Sequence, residues 1–249
     1  MADSDIKKFG LIGKNISYSF SKKYFTAKFE QENLPNLSYE NYDISDIAEL
    51  QKIVAETTYL KGLNVTIPYK ESVFPFLDKI GKKALAIGAV NTIKITKKNK
   101  LKGYNTDYYG FKKTIKPHLK SHHKKALILG TGGASKAIAY ALHQLGIDYK
   151  FVSRNPSFEQ FSYAELDKAT FDKFTLIINC TPLGTFPNTE EFPPLPYSFL
   201  TEKHLAFDLI YNPAETLFLQ KAKEQGSATL NGYEMLIFQA EKAWKIWNK

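Results

Sequence analysis

At 249 residues with 43% apolar content, the chain has room for one or two domains and enough hydrophobic side chains to fill their cores. It contains no apolar run of about 18 residues, so no membrane span is expected, and MADSDIKK lacks the apolar stretch of a secretory signal. One cysteine, Cys180, excludes an internal disulfide and fits a reducing cytosol, and the five histidines form no zinc pattern, so no metal is expected. The net charge of +9 is spread along the chain rather than gathered in one arm as a nucleic-acid binder would have it. Such a field would also attract an anionic substrate and cofactor, and a lysine-rich proteome accounts for much of it, so charge alone decides nothing.

In chain order, Phe9–Gly13 (FGLIG) reads as a short strand ending in glycine, Asn15–Ser21 (NISYSFS) as a polar turn and Lys22–Asn33 as an amphipathic helix. Leu37–Asp43 is a second strand, and Ser45–Ala55 a helix with Ser45 as its cap. Leu60–Ile67 (LKGLNVTI) is a third strand, with Pro68 in the first turn of the helix that follows. This alternation predicts an α/β layer with a largely parallel sheet. Val90–Thr96 and Lys100–Tyr104 form a hairpin around Lys97–Asn99. Asp107–Ile115 is a helix, ended by Pro117 in the lysine-rich connector KPHLKSHHKK, where His122 and His123 are expected to be solvated. A domain boundary is expected close to Thr106–Phe111.

The second half opens with a distinctive stretch, KKALILGTGGASKAIAYA. Ala126–Leu129 has the length of a buried strand, Gly130, Gly132 and Gly133 follow at once, and Ala134–Leu145 reads as helix. Strand, glycine turn and helix make the start of a dinucleotide-binding βαβ unit. Gly130 serves the tight turn, Gly132 lets backbone approach a pyrophosphate, and Ser135 stands where the fingerprint has its third glycine. The helix N-terminus offers unpaired N–H groups to phosphate oxygens. Asp148–Val152 is the next strand, and near its end an NAD site has an acid for the ribose 2′-hydroxyl, about twenty residues past the glycines. Here Ser153, Arg154 and Asn155 stand instead, which suits a 2′-phosphate and favours NADP. Leu176–Asn179 and Leu205–Leu209 are further strands, separated by a loop at Thr181–Pro196. Ala214–Gln225 is a helix, Ala228–Leu230 a last strand and Met235–Trp247 a closing helix.

A nicotinamide enzyme acting on a ketone needs a proton donor and groups that fix the substrate. Polar residues gather at the predicted strand ends of the first half: Ser19 and Ser21, then Asn64, Thr66 and Lys70, then Asn91, Thr92, Asn105, Thr106 and Asp107. The carboxyl ends of strands in an α/β sheet converge on one crevice, and this set suits a small polyhydroxy acid. Taken singly, a lysine such as Lys70 is more often a surface lysine and an aspartate such as Asp107 more often a helix N-cap.

At these residues the chain resembles shikimate dehydrogenase: NVTIPYKE (Asn64–Glu71), GAVNT (Gly88–Thr92), GYNTD (Gly103–Asp107), GTGGASKA (Gly130–Ala137), NCTPLG (Asn179–Gly184) and Gln239–Ala240, in the family's order and spacing. The resemblance implies an α/β fold of two domains. Residues 1–106 would form a substrate-binding domain, joined by a returning C-terminal helix, 234–249, and residues 107–233 a Rossmann-type NADP domain. It implies NADPH-linked reversible reduction of 3-dehydroshikimate to shikimate, on the way to aromatic amino acids, by a cytoplasmic monomer or homodimer. Lys70 and Asp107 become the catalytic pair, and Ser19 and Ser21 hold the substrate carboxylate, with Tyr211 near that end. Thr66, Asn91, Asp107 and Gln239 contact ring hydroxyls. Gly130, Thr131, Gly132, Gly133, Ala134 and Arg154 contact the cofactor, Ser153 and Asn155 flank its phosphate, and Thr181 and Gly232 complete the set. The chain departs from the family pattern where Lys22 replaces a proline after the serine turn, and where Asn155–Phe158 carries no second arginine. An NAD-linked quinate/shikimate dehydrogenase and a non-catalytic NAD(P)-sensing regulator are the alternatives; Arg154 speaks against the first, and the presence of Lys70 and Asp107 against the second.

Overall fold

The computed structural model describes residues 6–17 and 19–249; residues 1–5, within MADSDIKK, and Tyr18 of the serine turn lie outside the described residues. The chain divides into two compact units, Met1–Thr106 with Ala240–Lys249, and Asp107–Gln239.

The first unit runs β1 (Lys7–Gly13), α1 (Phe20–Gln31), β2 (Leu37–Asp43), α2 (Glu49–Glu56), β3 (Leu60–Val65), α3 (Tyr69–Ser72), β4 (Lys79–Ile80), α4 (Lys82–Ile87), β5 (Thr92–Ile95) and β6 (Leu101–Tyr104). Its six strands form one sheet in the order β2-β1-β3-β5-β6-β4. β1 pairs in parallel with β2 and β3, whereas the hairpin β5–β6 enters antiparallel beside β3. β4 closes the far edge in parallel with β6, so the sheet is mixed. Alternate residues of β1 serve opposite faces, as the two-residue strand period requires. Phe9 and Leu11 pack with Phe25, Phe29, Tyr39 and the C-terminal Ala240, Ala243 and Trp247. Ile12 packs with Leu50, Leu63, Val65 and Val73 on the other side. Gly62 is required there, because the Trp247 indole occupies the space a Cβ would fill. That indole stacks on Phe9 at 4.8 Å between ring centroids and donates to the Ile93 carbonyl at 2.9 Å.

Local expectations change at several points. Helix α1 begins at Phe20 rather than Lys22, so Ser21 lies in its first turn and not in the polar turn before it. Helix α2 begins at Glu49, and Ser45 does not cap it. The Glu49 carboxylate instead accepts from the Ser45 amide at 3.0 Å, the Ser45 hydroxyl at 3.1 Å and the Asp46 amide at 3.1 Å. A carboxylate reaching back in this way satisfies the turn amides and holds residues 45–48 outside the helix. Pro68 is the residue before α3 rather than within its first turn. The helix α4 had no counterpart in the sequence reading, although Gly88, in the left-handed region at φ 74°, ends it in the manner expected of a glycine.

The second unit contains α5 (Asp107–Ile115), β7 (Lys125–Leu129), α6 (Gly133–Gln144), β8 (Asp148–Ser153), β9 (Phe161–Ser162), α7 (Lys168–Lys173), β10 (Leu176–Asn179), β11 (Leu205–Asp208), α8 (Leu217–Glu224), β12 (Ala228–Leu230) and the opening turns of α9 (Tyr233–Trp247). Its sheet has the order β12-β11-β10-β7-β8-β9, and every pair is parallel. Counted from β7, that is the 3-2-1-4-5-6 arrangement of a doubly wound dinucleotide-binding sheet. Ala126–Leu129, Leu176–Asn179 and Leu205–Asp208 are buried throughout, as strands covered on both faces must be. Helix α8 starts later than expected, because Thr216 caps it by accepting from the Leu219 amide.

Candidate active site

In the first unit, a hydrogen-bonded array of amides and hydroxyls lies at the carboxyl ends of β1 to β3 and beside the hairpin. Asn64, Asn91, Thr92 and Thr106 are all at most 4% exposed. The Asn64 amide donates to the Asn91 carbonyl at 3.2 Å and to Thr92 Oγ1 at 3.3 Å. Asn91 Oδ1 accepts from the Thr106 amide at 2.7 Å and from Thr92 Oγ1 at 3.0 Å, while its Nδ2 donates to Thr106 Oγ1 at 3.0 Å. Such a closed network fixes which way each amide faces. Asn105 donates to the Ala89 carbonyl at 3.0 Å. Lys70 is half-buried, and its carbonyl accepts from the Val90 amide at 2.8 Å, which ties the lysine segment to the residue before Asn91. Thr66 leaves β3 with its amide bound to the Ile12 carbonyl at 2.9 Å.

The array continues to the serine turn through a residue that the sequence reading did not single out. Tyr39, 2% exposed, donates its phenol hydrogen to Asn64 Oδ1 at 2.8 Å, and Ser21 is hydrogen-bonded to the same phenol. Burial pushes this phenol well above its ordinary range, so Tyr39 acts as a neutral bridge. The turn itself is held from β2. Asp43 accepts from the amides of Asn15 at 2.9 Å and Ile16 at 3.1 Å, and Asn41 donates to the Ile16 carbonyl at 3.0 Å. The Ser19 amide then bonds back to the Ile16 carbonyl at 3.1 Å. Lys22, the residue in place of proline, pairs with Glu40 at 2.7 Å. The alternating polar residues of YENYD at a strand end were the available signal for these anchors.

In the second unit, the glycine turn sits at the point where the strand order reverses, between β7 and β10. Gly130 has φ 96°, a conformation open to glycine, and a Cβ there would lie 3.2 Å from Thr181 Cγ2. A Cβ on Gly132 would meet nothing within 4 Å, so the space before it is open. No side chain caps α6, leaving its first amides for other acceptors. Ser135 is fully buried and donates to the Gly132 carbonyl at 2.6 Å, fixing the turn from below. Thr131 is exposed, and Gly133 and Ala134 are partly so. At the end of β8, Ser153 Oγ accepts from the Asn155 amide at 3.2 Å and Arg154 is exposed. An open glycine turn, an uncapped helix and a cation where an acid would read a 2′-hydroxyl fit a dinucleotide bearing a 2′-phosphate.

Asp107, 5% exposed, opens α5, and Gln239, 7% exposed, lies on α9. These two helices touch at Gly110, where a Cβ would lie 2.5 Å from the Met235 carbonyl and 3.2 Å from Gln239 Cβ. Tyr211 is half-buried and follows Ile210. Gly232 is packed against the Leu209 carbonyl too closely for any side chain. Among the described residues, no group of three or more His, Cys, Asp or Glu is placed to hold a metal ion, and no helix is long and apolar enough to cross a membrane.

The family model for the shikimate dehydrogenase substrate binding domain matches residues 11–93. A shikimate dehydrogenase (NADP(+)) of Clostridium botulinum (strain Hall) is 39% identical over 253 residues, covering 96% of this chain and 95% of that protein. A shikimate dehydrogenase solved in complex with NADP+ superposes with a TM-score of 0.84 at 35% identity, over 99% of this chain and 91% of that one. The Thermus thermophilus shikimate 5-dehydrogenase, solved with NADP(H) and shikimate, gives 0.84 at 29% identity, over 97% and 93%. Identity of this degree extends over nearly the whole chain, which belongs to the shikimate dehydrogenase family.

Proposed function

We propose that the chain is an NADP-dependent oxidoreductase that interconverts 3-dehydroshikimate and shikimate, with residues 1–106 and 234–249 serving the substrate and 107–233 the cofactor. The observation that carries the substrate side is the buried array of Asn64, Asn91, Thr92 and Thr106. Amides and hydroxyls of fixed orientation both donate and accept, which is what a ring bearing several hydroxyls demands. NADPH, when bound, supplies the hydride to the carbonyl carbon. Gly130, Thr131, Gly132, Gly133 and Ala134 would receive its pyrophosphate, Thr181 and Gly232 would line the same site, and Arg154, between Ser153 and Asn155, would receive the 2′-phosphate.

Negative charge developing on the substrate oxygen calls for a cation and a proton at that atom. Lys70 fills this role: its ammonium stabilises the oxyanion and transfers a proton to it, and in the oxidative direction the amine removes the hydroxyl proton. Asp107 orients Lys70 and accepts from a substrate hydroxyl. Ser19 and Ser21 donate to the substrate carboxylate, with Tyr211 at that end, and Thr66, Asn91 and Gln239 contact the ring hydroxyls. The same reading puts the enzyme in the cytoplasm, where a free thiol such as Cys180 stays reduced, as a monomer or homodimer.

The test is NADP reduction followed at 340 nm with shikimate and with quinate, each repeated with NAD. Turnover with shikimate and NADP is expected to be the fastest of the four; faster turnover of quinate with NAD would favour the NAD-linked alternative, and none at all the regulator. Lys70→Met keeps the apolar stem and removes the proton, so kcat is expected to fall about 10²–10⁴-fold with NADP affinity near normal. A folded variant that keeps more than about a tenth of kcat would remove Lys70 from proton transfer.

A further inference from the structure

A second carboxylate in the nucleotide-binding unit has no part in the chemistry above, yet the hydrogen bonds of its crevice converge on it. Asp208, at the end of β11, is fully buried. Asp208 Oδ1 accepts from Asn179 Nδ2 at 3.1 Å and from the Ile210 amide at 3.0 Å, and Oδ2 accepts from Thr216 Oγ1 at 2.6 Å. All three partners donate, the pattern a carboxylate requires. Asn179 is fully buried too, and its side-chain carbonyl accepts from the Thr181 amide at 3.0 Å and the Thr181 hydroxyl at 2.7 Å. Thr181 in turn faces Gly130 across the switch point. On the other side, the Ile210 carbonyl accepts from the Gly232 amide at 2.9 Å. One side chain thus fixes the exits of β10 and β11 and the turn before α9.

We propose that Asp208 is a positioning residue for the cofactor: through Asn179 it sets the Thr181 turn, and through Ile210 the Gly232 turn, so that both meet the dinucleotide in one fixed geometry. This rests on the reading of the crevice as an NADP site. The arm through Asn179 makes a prediction that a merely structural acid would not. Asp208→Ala leaves three buried donors without an acceptor, and Asn179→Ala cuts the link to Thr181 directly.

The experiment measures NADPH binding by fluorescence, with the KM values of NADP and shikimate and the melting temperature alongside. Asn179→Ala is expected to weaken NADPH about tenfold, the loss of one buried hydrogen-bonded link, and Asp208→Ala, which cuts both arms, at least as much, with the KM of shikimate unchanged. The double variant is expected to be no weaker than Asp208→Ala alone, since the loss of Asp208 has already cut the arm that Asn179→Ala removes. Asp208→Asn, which retains an acceptor for Asn179 and Ile210 while Thr216 turns to accept, is expected to restore binding. Thr216→Val is expected to lower the melting temperature and leave NADPH affinity within about twofold, because Thr216 is off the arm. Where Asp208→Ala does not fold, Asn179→Ala against Thr216→Val decides. A folded Asn179→Ala protein with wild-type NADPH affinity, or additive losses in the double variant, overturns the inference. A wild-type protein that binds no NADPH would instead overturn the reading of the site beneath it.

Discussion

Arg154 stands exposed just past the end of β8, where the proposed function has it receive the ribose 2′-phosphate. A charge-assisted contact of this kind contributes about 1.5–3 kcal/mol, and a single exposed arginine belongs in the lower half of that range. Arg154→Ala is therefore expected to weaken NADP about tenfold to thirtyfold and to leave NAD unchanged, read as the ratio of the two dissociation constants. Equal losses for both cofactors would show that Arg154 does not read the 2′-phosphate. The strand, glycine turn and helix were legible in the sequence because they are local, lying within twenty consecutive residues. Asp208 was not. Its partners Asn179 and Thr216 are 29 and 8 residues away, and only the pairing of β10 with β11 brings the first of them alongside. Tyr39 was hidden for the same reason, its partner Asn64 lying 25 residues on.

Among elements, β2 does more than fill an edge of its sheet. Its carboxylate Asp43 holds two successive amides of the serine turn, so the turn is fixed by side chains from a neighbouring strand where a proline would otherwise stiffen the chain. Asp43→Ala should raise the KM of shikimate about three- to tenfold, on the scale of one or two lost hydrogen bonds, while the KM of NADP holds. A rise in both would show that Asp43 supports the fold rather than the turn. The contact of α5 with α9 is closer still, made possible by Gly110. Gly110→Ala forces those helices apart and is expected to cost about 1–3 kcal/mol, seen in urea unfolding, and to raise the KM of shikimate because Gln239 moves with its helix. Strong periodicity had made most elements readable, and β10, β12 and α5 lie where the sequence reading put them. The two-residue strands β4 and β9 carry too little pattern to detect, and α2 begins late because Glu49 bonds backward rather than because its propensity is weak.

Across the whole molecule, three buried titrating groups set opposing pH dependences. Burial raises Asp208 from 3.8 to about 7, against the hydrogen bonds from Thr216, Ile210 and Asn179. A raised folded pKa gives stability that is complete below the unfolded value and lost as pH rises through the folded one, here between about 4 and 7. His123, buried at 5% exposure against the expectation that it would be solvated, and His204 are lowered from 6.5, chiefly by burial. Each accepts an amide hydrogen on Nδ1, from Lys120 and Thr201 at 3.0 Å, which assigns the neutral tautomer with Nε2–H bound to a carbonyl. Their contribution is complete above 6.5 and is lost as pH falls through the lowered values. Asp208→Asn removes the first dependence only. Between pH 5 and 7.5 its melting temperature is expected to fall by several degrees less than that of the wild type, at about 2–4 °C for each kcal/mol. Parallel curves for the two proteins would show that Asp208 does not titrate in this window.

The packing of Trp247 over Gly62 and against Phe9 also bears on the order in which the protein is made. Residues 107–239 leave the ribosome as one continuous stretch, and everything their sheet needs is present before the last helix is finished. The first unit emerges earlier but waits longer, since Ala240, Ala243 and Trp247, which cover one face of its sheet, are translated only after residues 107–239. At about 5–20 residues per second, that face stays open for some seconds to half a minute while the intervening 133 residues are added. The unit begun before the other is completed after it, and the interval before Trp247 arrives is when a chaperone has an apolar surface to hold.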